Sequence, residues 1–360
     1  MGIPVDKHLS LGGVPGEENG CSVVLHYGSP VDEAVMSMSG AAICDISHLG
    51  RIQVKGHGSL RLLERACTSD VTRQEDDTAA ATLLCSDDGG IIDICYLFRF
   101  DDFWMLTCSP GNAPNVIEQL RSVNAGECLI KDVSPETCHF AVTGARAEEA
   151  LQKHIPFNIS GLPRHAVKSG MIMLYRYMAA RVGLTSAWSV EIILPAALGE
   201  KAWDRAVDRE RISGLAPSGT AAREIVRLEH GFPRRGTELD KTVDPVVSGL
   251  EWLLRKDGGY IGQDAIKKLQ ENPPPRKRVL LEFSTDCPVA PGTGITWEDS
   301  SDIGTVTSAV LGTSSGKLVA QGYISPVYAL PGGNIMLKQP DMSVKGKITG
   351  VFSGRPGLIT

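Results

Sequence analysis

Asp87-Asp-Gly-Gly-Ile-Ile-Asp93-Ile-Cys-Tyr-Leu-Phe98 is the stretch from which the rest of the chain can be read. Asp87-Asp88-Gly89-Gly90 predicts a tight hairpin turn, because glycine takes positive φ without steric cost. The run that follows is apolar at both parities, as expected for a strand covered on both faces. A period of two places Asp93 beside Cys95 and Leu97, so neither face of this strand is wet. A carboxylate there loses hydration, and its pKa rises unless a cation or several donors meet it. Asp93 is therefore either paired for structure, as a turn aspartate bonded to backbone amides, or kept for chemistry.

Two further stretches carry charge in an apolar setting. Ser189-Val-Glu191-Ile-Ile-Leu194 sets a second carboxylate in a strand. It can hold a ring with adjacent N–H donors, such as a pterin, or it can lie on the wet face of an edge strand. Thr220-Ala-Ala-Arg223-Glu-Ile-Val-Arg227-Leu-Glu-His-Gly231 predicts a helix opened by Thr220 and closed by Gly231. Arg223 and Arg227 share a face and call for an anion, which Glu224, a carboxylate across the fold, or an anionic ligand could supply.

The remainder of the sequence narrows the class. With 360 residues the chain is long enough for two or three domains. A net charge of −6 argues against a general nucleic-acid binder. No apolar run approaches the roughly 20 residues of a bilayer span, and no signal peptide is visible, so a cytoplasmic location without membrane attachment is expected. The nine cysteines form no Cys-x-x-Cys pair and read as reduced, buried thiols. The eight histidines show no His-x-x-x-His spacing, so no metal site is expected. Cys44 and His48 offer a possible Cys/His pair but read as packing. No dinucleotide or nucleophile-elbow motif occurs, and Gly312–Lys317 fails the phosphate-loop spacing.

Residues 1–20, rich in Gly and Pro, are expected as a flexible arm. Residues 21–272 mix helix and strand, and Pro273-Pro-Pro275 is a stiff spacer that leads into Arg276-Lys-Arg278, read as a solvated linker. Residues 279–360 carry short strands between Gly and Ser turns, predicting a small antiparallel barrel or sandwich.

In order and spacing these segments resemble the aminomethyltransferase family, the T-protein of the glycine cleavage system. Cys44-Asp-Ile-Ser-His-Leu-Gly-Arg51 is similar to the family's Asp-Val-Ser-His-Met-Gly segment, and Gly89-Gly-Ile-Ile-Asp93 to its Gly-Gly-x-Ile-Asp-Asp. Ala222-Arg223-Glu-Ile-Val-Arg227-Leu-Glu-His-Gly231 with Gly236-Thr-Glu-Leu-Asp240, then Val247–Trp252, Tyr260–Ile266 and Gly304–Ser308, continue the likeness nearly to the end. The resemblance implies an α+β, three-lobed folate-binding fold with a C-terminal antiparallel β-barrel. It implies transfer of one carbon, aminomethyl or methyl, from a small donor or a lipoyl carrier protein onto tetrahydrofolate. By the same resemblance Asp93 would act as acid or base near the reacting folate nitrogens, Glu191 would bind the pterin edge, and Arg223 would support the folate site. The sequence departs from the family pattern at Ala81, Ile94, Cys108, Leu184 and Ala187. Those departures leave two alternatives: a folate-binding or catalytically idle paralogue with a regulatory or scaffold role, and a tetrahydrofolate-dependent demethylase of a small methylated substrate.

Overall fold

The computed structural model describes residues 2–172, 174–183, 188–208, 214–313, 317–338 and 343–352. The chain divides into two units. The first comprises Met1–Glu64, Asp70–Thr82 and Cys95–Val226, and the second Arg65–Ser69, Leu83–Ile94 and Arg227–Thr360. Positions Leu184 and Ala187 lie outside the described residues.

The first unit is built on a six-stranded sheet. Its strand order is Val167–Ile172, Tyr175–Ala180, Ser189–Pro195, Thr137–Thr143, Ala42–Asp45 and Ala216–Pro217. All pairings are antiparallel except the last, where Ala216 and Pro217 run parallel to Ala42 and Ile43. One face buries Ile43, Phe140, Val142, Val190, Ile192 and Leu194 against Trp203 and Ala206 of the helix Ala196–Val207. The other face carries Met178, Ala180 and Ile193, which pack on Phe98, Phe100, Phe103 and Met105. These aromatic residues come from or border the five-stranded sheet Thr78–Cys85, Ile91–Arg99, Trp104–Cys108, Gly50–Lys55 and Leu129–Asp132. A strand covered on both faces needs apolar residues at both parities, which is how Ser189–Pro195 is written. The segment read above as an arm carries the helix Val5–Ser10 and the strand Val14–Glu18, and Ile3 and His8 are buried.

The second unit ends in a closed barrel of order Lys277–Phe283, Leu318–Ile324, Asp302–Leu311, Gly294–Trp297, Asn334–Lys338 and Ser343–Val351. Alternate residues, among them Val279, Leu281, Phe283, Ile295, Ile335 and Leu337, fill its interior. Closure excludes the sandwich and leaves no open sheet edge. A register shift between Val306 and Ser308 marks a bulge, and it lets the neighbouring Thr307 and Ser308 hydroxyls both reach Glu238. Arg278 departs from its reading as solvated linker. Its guanidinium is 2% exposed and donates to Ser248 O, Gly231 O and Gln321 Oε1 at 2.7–2.8 Å, with the Phe352 ring 3.6 Å away. Burial lowers its pKa to about 10, which still leaves it charged at neutral pH. Among the described residues no helix is long and apolar enough to cross a membrane.

Candidate functional site

Glu191 lies in the third of six strands, not at an edge, and is 2% exposed. Its strand register sets it opposite Ala141 on one side and Ala180 on the other, two small residues that leave room above the backbone. His139 faces Ile193 in the same ladder and is the diagonal neighbour of Glu191 on the same face. Its Nε2 is 3.1 Å from Glu191 Oε2. Arg223, on the helix Thr220–Glu229, donates from Nη2 to Glu191 Oε1 at 3.5 Å. The structure thus brings Glu191 and Arg223 together and adds a histidine that sequence reasoning passed over.

Burial opposes ionisation of Glu191. His139 first, and then the Arg223 guanidinium, outweigh burial and hold its carboxyl below the usual carboxylate range. Burial holds His139 below the ordinary imidazole value, so at neutral pH the ring is uncharged and acts on Glu191 as an N–H dipole. Among the described residues few donors meet this carboxylate, and the one hydrogen bond to it is long.

Several local anchors hold these side chains in place. Glu33 accepts from Tyr27 N, Gly28 N and Gly219 N at 2.7–2.9 Å, which fixes the approach to the helix that carries Arg223. A Cβ at Gly219 would meet Leu25 O at 2.2 Å, so only glycine allows that approach. Arg51, fully buried, clamps the loop after Asp45 by donating to Ser47 O and Leu49 O, and holds the start of the His139 strand through Thr137 Oγ1. Tyr96 is a second residue that sequence reasoning missed. Its hydroxyl donates to Gly183 O at 3.3 Å, and burial, followed by the charge of Glu191, pushes the phenol up to about 12. It is the single hydroxyl-bearing aromatic in Ile91–Arg99, and that is the signal that could have found it.

Asp93 belongs to the second unit and is fully buried, as its strand predicts. Its Oδ1 accepts from Ile94 N at 2.8 Å. The preceding turn closes through Ser86 N to Gly90 O and Gly89 N to Ser86 O, both 2.9 Å, with Gly89 at φ 87°. A Cβ at Gly90 would lie 2.0 Å from Lys241 O. Ile91 N donates to Val243 O at 2.8 Å, and Arg235 Nε grips Ile92 O at 3.1 Å. Asp93 is thus carried on a strand start that is pinned by the 235–243 segment.

Arg227, the second arginine of the helix, meets a carboxylate across the fold. Its Nη1 donates to Glu238 Oε2 at 2.7 Å and to Phe232 O at 2.6 Å. Glu238 is fully buried and also accepts from Arg234 N, Thr237 Oγ1, Thr307 Oγ1 and Ser308 Oγ. Five donors on one carboxylate make a finished structural network. Cys44 and His48 keep their reading as packing. Burial pushes the Cys44 thiol up to about 12 and the His48 imidazole down to about 4, so neither is an ion at neutral pH. All nine cysteines are free, and no cluster of potential metal ligands occurs among the described residues.

Residues 5–258 match the family model of the GCVT N-terminal domain, and residues 276–351 that of the glycine cleavage T-protein C-terminal barrel domain. Aminomethyltransferases of Herpetosiphon aurantiacus and Streptomyces avermitilis are 28% and 29% identical to this chain. The first alignment covers 88% of both proteins, and the second 90% of this chain and 89% of the relative. The solved structure of the glycine cleavage system aminomethyltransferase T from Bartonella henselae shares the fold at a TM-score of 0.88, with 23% identity over 95% of this chain and 94% of that one. With both domain models matched in order over nearly its whole described length, the chain belongs to the glycine cleavage T-protein family.

Proposed function

We propose that the chain is a tetrahydrofolate-dependent aminomethyltransferase, which takes an aminomethyl group from the lipoyl arm of a carrier protein and releases ammonia. The observation that carries this reading is the contrast between two buried glutamates. Among the described residues Glu238 is met by five donors, whereas Glu191, equally buried and ionised, is met by one long hydrogen bond and a nearby imidazole. A buried carboxylate with lone pairs to spare is a site for a ligand that brings its own N–H donors. A pterin edge offers two adjacent ones, and the small Ala141 and Ala180 on either side leave it space.

In this reading Glu191 binds the ring, Arg223 keeps Glu191 ionised, and the half-buried Tyr96 contributes an aromatic surface beside it. Bound tetrahydrofolate would supply the nitrogens that receive the carbon. Asp93 would hold or move a proton at the reacting nitrogen, and the protein's larger contribution would be orientation of two bound reactants. The curated relatives carry the aminomethyltransferase name, which disfavours the demethylase and idle-paralogue readings.

A thermal-shift titration with tetrahydrofolate tests the binding half of the proposal. A ligand that binds only the native state adds RT ln(1 + [L]/Kd), about 2.7 kcal/mol at 100-fold saturation. A saturable upward shift that Glu191→Ala abolishes is the expected result. Equal shifts in both proteins would remove Glu191 from the site, and no shift in the wild type would end the folate reading.

A further inference from the structure

His139 is a fully buried ring in the middle of the strand Thr137–Thr143, whose same-face residues are Thr137, Ala141 and Thr143. Nδ1 has no polar partner among the described residues, and Nε2 has only a 3.1 Å approach to Glu191 Oε2 that falls outside hydrogen-bond geometry. Such a group destabilises a fold, so the position returns something other than stability. Its backbone is firmly held: His139 N donates to Ser47 Oγ at 2.8 Å, and its carbonyl accepts from Ile46 N at 2.9 Å. The imidazole therefore projects from a fixed point.

The polar atom within reach of the ring is Glu191 Oε2, 3.1 Å from Nε2. A carboxylate can only accept, so the tautomer that fits this approach carries its proton on Nε2 and leaves Nδ1 bare. The other anchor of Glu191 is weaker. Arg223 stands at 3.5 Å with its side chain 21% exposed, on a long stem that water can reach.

We infer that His139 is a positioning residue for the cofactor carboxylate: its Nε2–H holds Oε2 of Glu191 so that the carboxylate meets the adjacent N–H donors of tetrahydrofolate already oriented. The role rests on the folate reading above. The ring faces Glu191 from its own sheet, and the other charged or titratable groups around it are Arg223 from the helix, Arg51 from the strand Gly50–Lys55 of the five-stranded sheet, and His48. Burial first, and then the two arginines, outweigh the pull of Glu191 and oppose its protonation, so it serves as a neutral donor in the neutral range. The cost avoided is that of freezing one flexible glutamate on binding.

The test pairs His139→Leu with His139→Gln, whose amide nitrogen reaches the position of Nε2. Calorimetric titration with tetrahydrofolate should give a Kd raised roughly three- to tenfold in His139→Leu, with kcat little changed, and restored toward wild type in His139→Gln. Nitrogen NMR of the ligand-free protein should show His139 as the Nε2–H tautomer, with a resonance that moves in Glu191→Gln. Wild-type affinity in His139→Leu, an Nδ1–H tautomer, or no response to Glu191→Gln would overturn the assignment. If the wild type binds no folate, the folate reading fails on its own, and the NMR coupling still decides whether His139 holds Glu191.

Discussion

Replacing each buried glutamate by glutamine should separate the structural carboxylate from the ligand-binding one. Glu238→Gln removes the carboxylate charge that faces the buried Arg227 guanidinium, 4% exposed, at 2.7 Å. Breaking one side of a buried ion pair costs about 3–5 kcal/mol, since the remaining ion cannot rehydrate. With the amide oxygen kept at Oε1 for Thr307 and Ser308, the donors Arg234 N and Thr237 Oγ1 on the other oxygen would face an amide nitrogen that cannot accept. Glu191→Gln strands no comparable ion, because Arg223 is 21% exposed and His139 is neutral. Its cost should stay within about 1 kcal/mol, the range of exposed pairs. For a unit of this size each kcal/mol moves Tm by roughly 2–4 °C, so Glu238→Gln should lower Tm by roughly 6–20 °C and Glu191→Gln by no more than about 4 °C. Differential scanning calorimetry of both variants without ligand reads the difference. Equal losses in the two variants, or an unchanged Tm for Glu238→Gln, would refute the distinction on which the site assignment rests.

Three other outcomes are expected. Asp93→Asn should abolish turnover while leaving Tm and far-ultraviolet circular dichroism close to wild type, and full activity would remove Asp93 from the mechanism. Burial raises the pKa of Glu238, but the Arg227 charge and then the hydroxyl donors outweigh it and hold the carboxyl below its ordinary value. Its stability contribution is present above the unfolded value of about 4.3 and is lost as pH falls through the lower folded value. The Tm gap between wild type and Glu238→Gln should therefore shrink as pH drops below that range, and calorimetry across pH 3–7 would show it. Gly90→Ala would place a Cβ 2.0 Å from Lys241 O and should cost about 1–3 kcal/mol, measurable as a lower urea midpoint.

Much of this was legible where a residue contradicted its surroundings. Asp93 and Glu191 each stand in an apolar strand, and both prove to be buried. The glycine turn before Asp93 announces itself, because Gly89 needs positive φ and Gly90 admits no side chain. The barrel was legible in its short strands, except Gly294–Trp297, whose four residues offer only Ile295 and the partly buried Trp297 as an inward-facing signal. What stayed hidden depends on pairings between distant segments. That Ser189–Pro195 is central follows from strand order, which no local pattern encodes. Arg278 reads as part of a charged linker until the Gly231 and Ser248 carbonyls are seen to close over it. Likewise Arg227 finds Glu238 and a barrel hydroxyl 81 residues away, which helix periodicity cannot anticipate. His139 obeys the same rule as Asp93, a polar group in an apolar strand, and a search confined to metal spacings passes over it.

The most direct test of the account is turnover itself. The purified protein would be given tetrahydrofolate and a lipoyl carrier protein bearing an aminomethyl group, and ammonia and one-carbon-loaded folate would be measured together. The account predicts one ammonia per carbon transferred, lost in Asp93→Asn and weakened at limiting folate in Glu191→Ala. Saturable folate binding with no release of ammonia would contradict it.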